Sequence, residues 1–480
     1  MNIVEVIKKE TIDFRKKIAV IEQRRSISYS ELFEAVDISA SALKKFGILP
    51  SERVALICED SIEYIIISLA VLSINAVLVP VSTALSKKEI EAVLDRIQVN
   101  HLIFENTRYE KNDDIRILSN EYLEREIFLC RCSSSDNMPA GYYEMGPAFI
   151  RFSSGTTGAS KGVVLSHRSI LERTDAADRG LQITSDDVVV WVLPMSFHFV
   201  VTILLFLRRS STIILSGKKS FPEYLEEGLK VHRGTFIYAS PFHYEMLINN
   251  DKYGHDLLSG VRIAVSTAMK QPALAAQAFY EKFGLELTEA YGLIEAGLPF
   301  INFSNNAAKR GSVGKILPDY RLKIVNPDAQ GIGEIHIKGK GFFDAYFSPW
   351  QGREKIMSDG WFYTGDLGRA DNDGYLFLVG RGKNVINFAG TKIFPYEVES
   401  VINQHPCVKE SVVYGIDHAR FGELPCADIV VLDKNNKNPA MLRDEIRGYC
   451  SGHLASYKVP KEFKFVSRLS RTYSGKIKRW

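Results

Sequence analysis

Two short apolar runs, Phe149-Ile150-Arg151-Phe152 and Gly162-Val163-Val164-Leu165-Ser166, enclose the segment Ser153-Ser154-Gly155-Thr156-Thr157-Gly158-Ala159-Ser160-Lys161. From Phe152 to Gly162, three glycines, five hydroxyl side chains and one lysine fall within eleven residues. Glycines let a backbone approach a ligand with its N–H groups turned inward. The hydroxyls add neutral donors, and Lys161 adds a mobile point charge. Such a loop suits a polyphosphate that is held and then released. A Gly/Ser linker has similar composition, but both flanks read as strands, which makes this a tight strand-to-strand turn. A G-x-x-x-x-G-K-[ST] loop leading from a strand into a helix is excluded. Here Ser160 precedes the lysine, Gly162 follows it, and a strand comes next.

A chain of 480 residues exceeds what one hydrophobic core supports, so at least two domains are expected. A net charge of +3 is too small to mark a nucleic-acid or acidic-membrane partner. Of the cysteines only Cys130 and Cys132 lie close together, and C-x-C without further ligands is a poor metal signal. Reduced thiols in a cytoplasmic protein are expected, and Met1-Asn2-Ile3-Val4-Glu5 lacks a signal-peptide core. The apolar stretches Ile65 to Val81 and Val188 to Leu207 are broken by Ser73, Asn75 and Pro80, and by Pro194, Ser196 and His198. They read as buried helix-plus-strand segments, not membrane spans.

Along the chain, hydrophobic periodicity predicts alternating strands and helices. Strands are expected at 53–58, 76–81, 101–104, 187–193, 213–215, 235–238 and 261–265. Helices are expected from Tyr29 to about Lys45, from Ser61 to Asn75, and over 87–96, 167–181, 224–230 and 271–283. This alternation implies a parallel α/β fold. Residues 105–145 read as polar and irregular. From Gly311 to Tyr375 short strands and Gly/Pro/Asp turns imply a β-rich subdomain. The last hundred residues read as a small α+β domain, with the boundary at 380/381.

The loop resembles the signature loop of the adenylate-forming superfamily: acyl- and aryl-CoA synthetases, peptide-synthetase adenylation domains and beetle luciferases. Four further segments carry the resemblance, in order, from about Ile27 to the C-terminus. Leu287-Thr288-Glu289-Ala290-Tyr291-Gly292-Leu293-Ile294-Glu295 resembles the nucleotide motif. The resemblance gives Tyr291 the adenine, with Glu289 and Ala290 beside it, and gives Glu295 a Mg²⁺. An aromatic face suits a purine, and a hard carboxylate suits Mg²⁺. Ile294 stands where the family usually has Thr. Trp361-Phe362-Tyr363-Thr364-Gly365-Asp366 resembles the ribose motif, in which Asp366 grips the vicinal hydroxyls. Gly380-Arg381-Gly382-Lys383 resembles the interdomain hinge. Arg381 there contacts ribose or phosphate, Lys383 is the pivot, and Gly390 lines the thiol tunnel. The tail Ser474-Gly475-Lys476 resembles the mobile loop whose lysine reaches the carboxylate and the α-phosphate, although Ser470 replaces a proline. Lys478 and Arg479 beyond it read as a basic tail.

The resemblance also implies that Ser153, Ser154, Gly155, Thr156, Thr157, Gly158 and Lys161 hold phosphates, with Thr156 joining Glu295 at the metal. Lys476, Glu295 and Thr156 are then the catalytic set. The acid pocket falls to Phe197, His198, Ser240, Thr267, Ala268 and Gly292. Phe199-Val200-Val201 replaces the Asp that holds an α-ammonium group, and no second cation stands out, so a neutral-tailed aliphatic or aromatic acid is expected. The implied fold is a large N-terminal domain of parallel α/β subdomains plus a β-rich subdomain, and a small mobile α+β C-terminal domain. The implied activity is ATP-dependent activation of a small carboxylic acid, then transfer to a thiol. That thiol is CoA or the phosphopantetheine arm of an acyl or peptidyl carrier protein. A non-catalytic nucleotide- or acid-binding homologue remains the alternative, permitted by Ile294 and Ser266-Thr267.

Overall fold

The structure is a computed structural model that describes all residues except 106–114, 133–137, 153–160, 218, 390, 419, 433–437, 473–475 and 480. The described residues of 1–155, 159–321 and 338–360 form one compact unit, and those of 322–337 and 361–480 form a second.

Two nine-stranded sheets build the first unit. In one, the strands Ile18–Glu22, Thr212–Leu215, Val188–Trp191, Phe236–Ala239, Ile263–Ser266 and Leu287–Leu293 lie side by side and parallel. Arg25–Ser28 closes one edge and Gly297–Asn302 extends the other, both antiparallel. Continuous burial of strands such as Thr212–Leu215 and Phe236–Ala239 is the mark of a sheet covered on both faces. The chain runs from Val188–Trp191 to a neighbour on one side, then crosses back to Phe236–Ala239 on the other. That reversal opens a crevice at the carboxyl ends of these two strands, where open α/β sheets bind ligands.

The second sheet pairs Arg53–Ile57 in parallel with Val77–Pro80 and His101–Phe104. Pro147–Phe152 and Gly162–Ser166 run antiparallel, with Phe152 opposite Gly162, as the two flanks of the phosphate loop were expected to do. Within the span read as irregular, the structure places two strands, Arg116–Leu118 and Ile127–Arg131. The second pairs antiparallel with His101–Phe104.

Helix ends follow local chemistry. Ser28 and Glu31 form a reciprocal cap that opens Tyr29–Phe46, and Gly47 closes it at φ +100°. Ser166 accepts from the Ser169 N–H and opens His167–Leu181.

In the second unit Gly333–Gly339, Phe362–Ala370 and Leu376–Arg381 run antiparallel. A further sheet pairs Val408–His418 with Gly422–Val431, which is joined by Ile386–Phe388 and, in parallel, by Glu462–Phe465. Helices Pro395–Ile402 and Pro439–His453 contribute Val398, Ile402, Leu442 and Ile446 to the core of this α+β body.

Candidate active site

The expected segments of the first unit follow the carboxyl ends of successive parallel strands. Phe197 and His198 follow Val188–Trp191, Ser240 follows Phe236–Ala239, and Thr267 and Ala268 follow Ile263–Ser266. Leu287–Leu293 is itself a strand, which carries Glu289, Ala290, Tyr291 and Gly292. A helix terminus is the alternative for this stretch and does not form. Tyr291 is nearly buried, with its ring 6.0 Å from that of Phe300.

Glu295 lies in the turn after this strand, partly exposed. Its Oε1 accepts from the Tyr346 hydroxyl at 3.2 Å. Its Oε2 has no hydrogen bond among the described residues, which leaves a hard oxygen of the kind Mg²⁺ takes. Lys161 also reaches Tyr346, with Nζ 4.4 Å from the ring centroid. One tyrosine therefore gathers the lysine of the phosphate loop and the metal-type carboxylate. Ser153, Ser154, Gly155, Thr156, Thr157 and Gly158 lie outside the described residues.

Sequence reasoning missed the residue that sets this turn. Arg173, fully buried on His167–Leu181, donates from Nη1 to the Ile294 carbonyl at 3.0 Å. Its Nε and Nη2 both donate to the Gly341 carbonyl, at 3.1 and 2.7 Å. Gly341 sits at φ +68°, where an added Cβ would lie 2.5 Å from the Arg173 nitrogen. The backbone just ahead of Glu295 is thus clamped from a helix, whichever side chain position 294 carries.

The pocket walls are aromatic. His198 packs edge-on against Trp191 and Tyr238, at ring distances of 5.9 and 6.2 Å. Trp191 stacks on Tyr238 at 5.4 Å, and its buried Nε1 has no hydrogen-bond partner. A π-turn, Phe199–Ile203, follows His198, a form often found at functional sites. Asp60 accepts from the Met195 N–H with both oxygens at 3.0 Å. It keeps some solvent access, yet dense packing pushes its carboxyl up to about 7.

The other walls are committed to local bonds. The Ser240 hydroxyl pairs with His243 Nδ1 at 2.8 Å, and burial takes that imidazole down to about 4. Thr267 Oγ1 donates to the Ala290 carbonyl at 3.0 Å, which ties two walls together. Ala268 is held at φ +71°, a strained angle for a residue with a Cβ. Glu289 is buried and accepts from the Gly311 N–H at 2.7 Å. Burial pushes its carboxyl up to about 8, against the pull of that bond and of Lys270. At neutral pH it is largely a neutral acid, which suits a hydrogen-bonding role beside Tyr291.

In the second unit Asp366 is buried and lies directly across the sheet from Arg381, whose Nε contacts Asp366 Oδ1 at 2.8 Å. A carboxylate held this way has its orientation fixed for a diol. Lys383 sits exposed in the one-turn helix Gly382–Asn384, and desolvation with the nearby Arg381 charge lowers its amine. Gly390 lies outside the described residues.

Lys476 is bonded back to Thr472. The Thr472 N–H donates to the Lys476 carbonyl at 2.6 Å, and the Lys476 N–H donates to Thr472 Oγ1 at 3.2 Å. Arg471 pairs with Glu410. Arg479 is no loose basic tail, because it forks onto Glu399 at 2.5 and 2.7 Å with 9% of its side chain exposed. Its guanidinium lies 4.5 Å from the Tyr396 ring centroid. Two arginines therefore anchor the segments on either side of Lys476.

Comparisons with known proteins agree with this layout. The family described as AMP-binding enzyme matches residues 9–347, and the AMP-binding enzyme C-terminal domain matches residues 397–476. The mitochondrial medium-chain acyl-CoA ligase of Rattus norvegicus is 26% identical, over 97% of this chain and 84% of that one. ATP-bound MatB from Rhodopseudomonas palustris superposes with a TM-score of 0.82 at 24% identity, over 100% of this chain and 97% of that one. MenE from Bacillus subtilis, an o-succinylbenzoate CoA synthetase solved with its acyl-adenylate OSB-AMP, gives 0.83 at 24% identity, over 99% and 96%. Among the described residues no helix is long and apolar enough to cross a membrane.

Proposed function

The chain belongs to the AMP-binding enzyme family, and from that premise we propose that it activates a carboxylic acid with ATP. The products of this step are an acyl-adenylate and pyrophosphate, and the acyl group then passes to the thiol of CoA. The observation that carries this reading is Tyr346, which brings Lys161 and the Glu295 carboxylate to one side chain. A cation and a metal-type carboxylate so placed suit a polyphosphate. The acyl-CoA ligase name of the rat relative supports CoA as the acceptor.

In this reading the Ser153–Gly158 segment and Lys161 grip the departing phosphates. Tyr291 faces adenine, and Asp366 with Arg381 takes the ribose. Glu295 and Thr156 would hold Mg²⁺, which neutralises charge between phosphate oxygens. Lys476 donates to the α-phosphate, where negative charge builds as the acid attacks. We assign Lys383 as the pivot of the C-terminal unit, and Gly390 to the passage for the thiol arm.

Acid-dependent ATP–pyrophosphate exchange over a panel of carboxylic acids tests the first step. Lys476→Ala is expected to lower exchange about 10²–10³-fold, and unchanged exchange would sink the assignment. Acyl transfer to free CoA, set against transfer to a purified carrier protein, tests the acceptor. If no acid supports exchange while AMP still binds, the protein is a nucleotide-binding homologue without this activity.

A further inference from the structure

Arg151 ends the strand that leads into the phosphate loop. Alternation along Pro147–Phe152 sends Ile150 into the core with Val164 and Ala345, and turns Arg151 to the opposite face. There its Nη1 donates to the Phe197 carbonyl, and its Cζ lies 5.6 Å from the Phe197 ring centroid. That is its only hydrogen bond among the described residues, and its Nε is buried without a partner. Glu295 lies near enough to act on the guanidinium through space, and Arg173 opposes it, but no carboxylate forms an ion pair with Arg151 among the described residues.

A second unused donor packs against the same turn. Tyr64, on helix Ile62–Ser73, is fully buried, and its hydroxyl has no hydrogen-bond partner among the described residues. Its ring lies 5.8 Å from that of Phe199, two residues beyond Phe197, and its phenol feels the Arg151 charge. Burial pushes this phenol well above its usual range, so it keeps its proton and stays a donor. Burial lowers the Arg151 guanidinium only to about 10, so it remains a cation at neutral pH. A partly desolvated cation with no ion pair among the described residues is costly, and an unmade hydrogen bond adds to that cost. Such a pair persists where a ligand completes it.

We propose that Arg151 and Tyr64 form a carboxylate-recognition subsite, with a guanidinium N–H and the phenolic O–H donating to the two oxygens of one carboxylate of the acid substrate. This rests on the acid-activating reading above, and it revises the neutral-tailed expectation only where the carboxylate is a second one. The carboxylate has two possible sources, the reacting group itself or the second group of a dicarboxylic acid.

Matched mono- and dicarboxylates of three to eight carbons separate these sources. Pyrophosphate exchange is measured for wild type, Arg151→Met, Arg151→Lys and Tyr64→Phe, with thermal unfolding to verify folding. Arg151→Met is expected to raise the KM for the acid about 10- to 100-fold, with the ATP KM unchanged. Arg151→Lys restores part of the loss, and Tyr64→Phe gives a smaller one. A loss shared by both series marks the reacting carboxylate, and a loss confined to diacids marks the second. A rise in ATP KM with the acid KM unchanged assigns Arg151 to the nucleotide and overturns the proposal, as does no change in either. If no acid supports exchange, the activation reading fails by itself. Calorimetric binding of the same acids to the AMP-saturated protein then reads the subsite directly. Equal binding by wild type and Arg151→Met, or no binding by wild type, overturns it.

Discussion

Arg173 and Arg151 occupy the same unit, and desolvation lowers both guanidiniums to about 10. Their bonding differs. Arg173 gives three N–H groups to the carbonyls of Ile294 and Gly341. Arg151 gives one to Phe197 and leaves its Nε without a partner. A buried cation whose donors are filled by backbone is architecture, since removing it leaves carbonyls with nothing to accept from. A half-buried cation that spends one donor on Phe197 and leaves its Nε unfilled has capacity left over for what binds. Arg173 is fully buried and Arg151 only partly, and their hydrogen bonds separate them further.

The largest effect that breaks or sharpens this contrast is on stability. Arg173→Met strands two buried carbonyls, and its unfolding free energy is expected to fall by about 2–5 kcal/mol. Arg151→Met is expected to stay within about 1 kcal/mol of wild type. Urea unfolding with unchanged m-values measures both, and equal losses would erase the distinction.

Glu289 is an intermediate case, a buried carboxyl with the Gly311 N–H as its hydrogen-bond donor. Its folded pKa, about 8, lies above the 4.5 of a glutamate in water. The folded state therefore holds the proton more tightly than the unfolded one. The associated stability is fully present below about 4.5 and is lost as pH rises through about 8. Asp60, raised to about 7, adds a slope of the same sign. The melting temperature is expected to fall between pH 5 and pH 9, and Glu289→Gln is expected to flatten that fall. A variant with the wild-type slope would place the proton elsewhere.

The smallest effect concerns backbone instead of donors. Ala268→Gly relieves the left-handed angle at φ +71° and is expected to stabilise by about 0.5–1 kcal/mol, net of the freedom glycine gains when unfolded. A loss in the same urea titration would mean that the alanine methyl packs well enough to outweigh its strain.

Much of this layout is legible in the sequence. Helix His167–Leu181 forms with the expected bounds because Ser166 caps it and its apolar spacing is regular. The strands flanking the phosphate loop read correctly because both are short, apolar and bounded by glycine or proline. Arg116–Leu118 and Ile127–Arg131 were hidden by the charged run between them. Arg125 in that run meets Glu22 at 2.6 Å, Glu105 at 2.7 Å and Glu63 at 3.4 Å, a set scattered through the chain. Arg173 and Arg479 were missed for the same reason, since their partners lie far away in sequence. Arg151 left a local trace: strand alternation alone puts it on the face opposite Ile150, a charge in an otherwise apolar strand. The acid pocket stayed least readable because its walls come from separate strands that only the fold brings together.

That separation has an evolutionary consequence. The turn carrying Phe197 and His198, the cap at Ser240, the bend at Ala268 and the hairpin at Gly292 each hang from a different strand of one rigid sheet. Change in one turn leaves the anchorage of the others intact, so drift can reshape the lining of the crevice piece by piece. The strands Pro147–Phe152 and Gly162–Ser166 belong to the other sheet and carry none of those turns. A lineage built this way can exchange the lining of the crevice while inheriting those two strands unaltered.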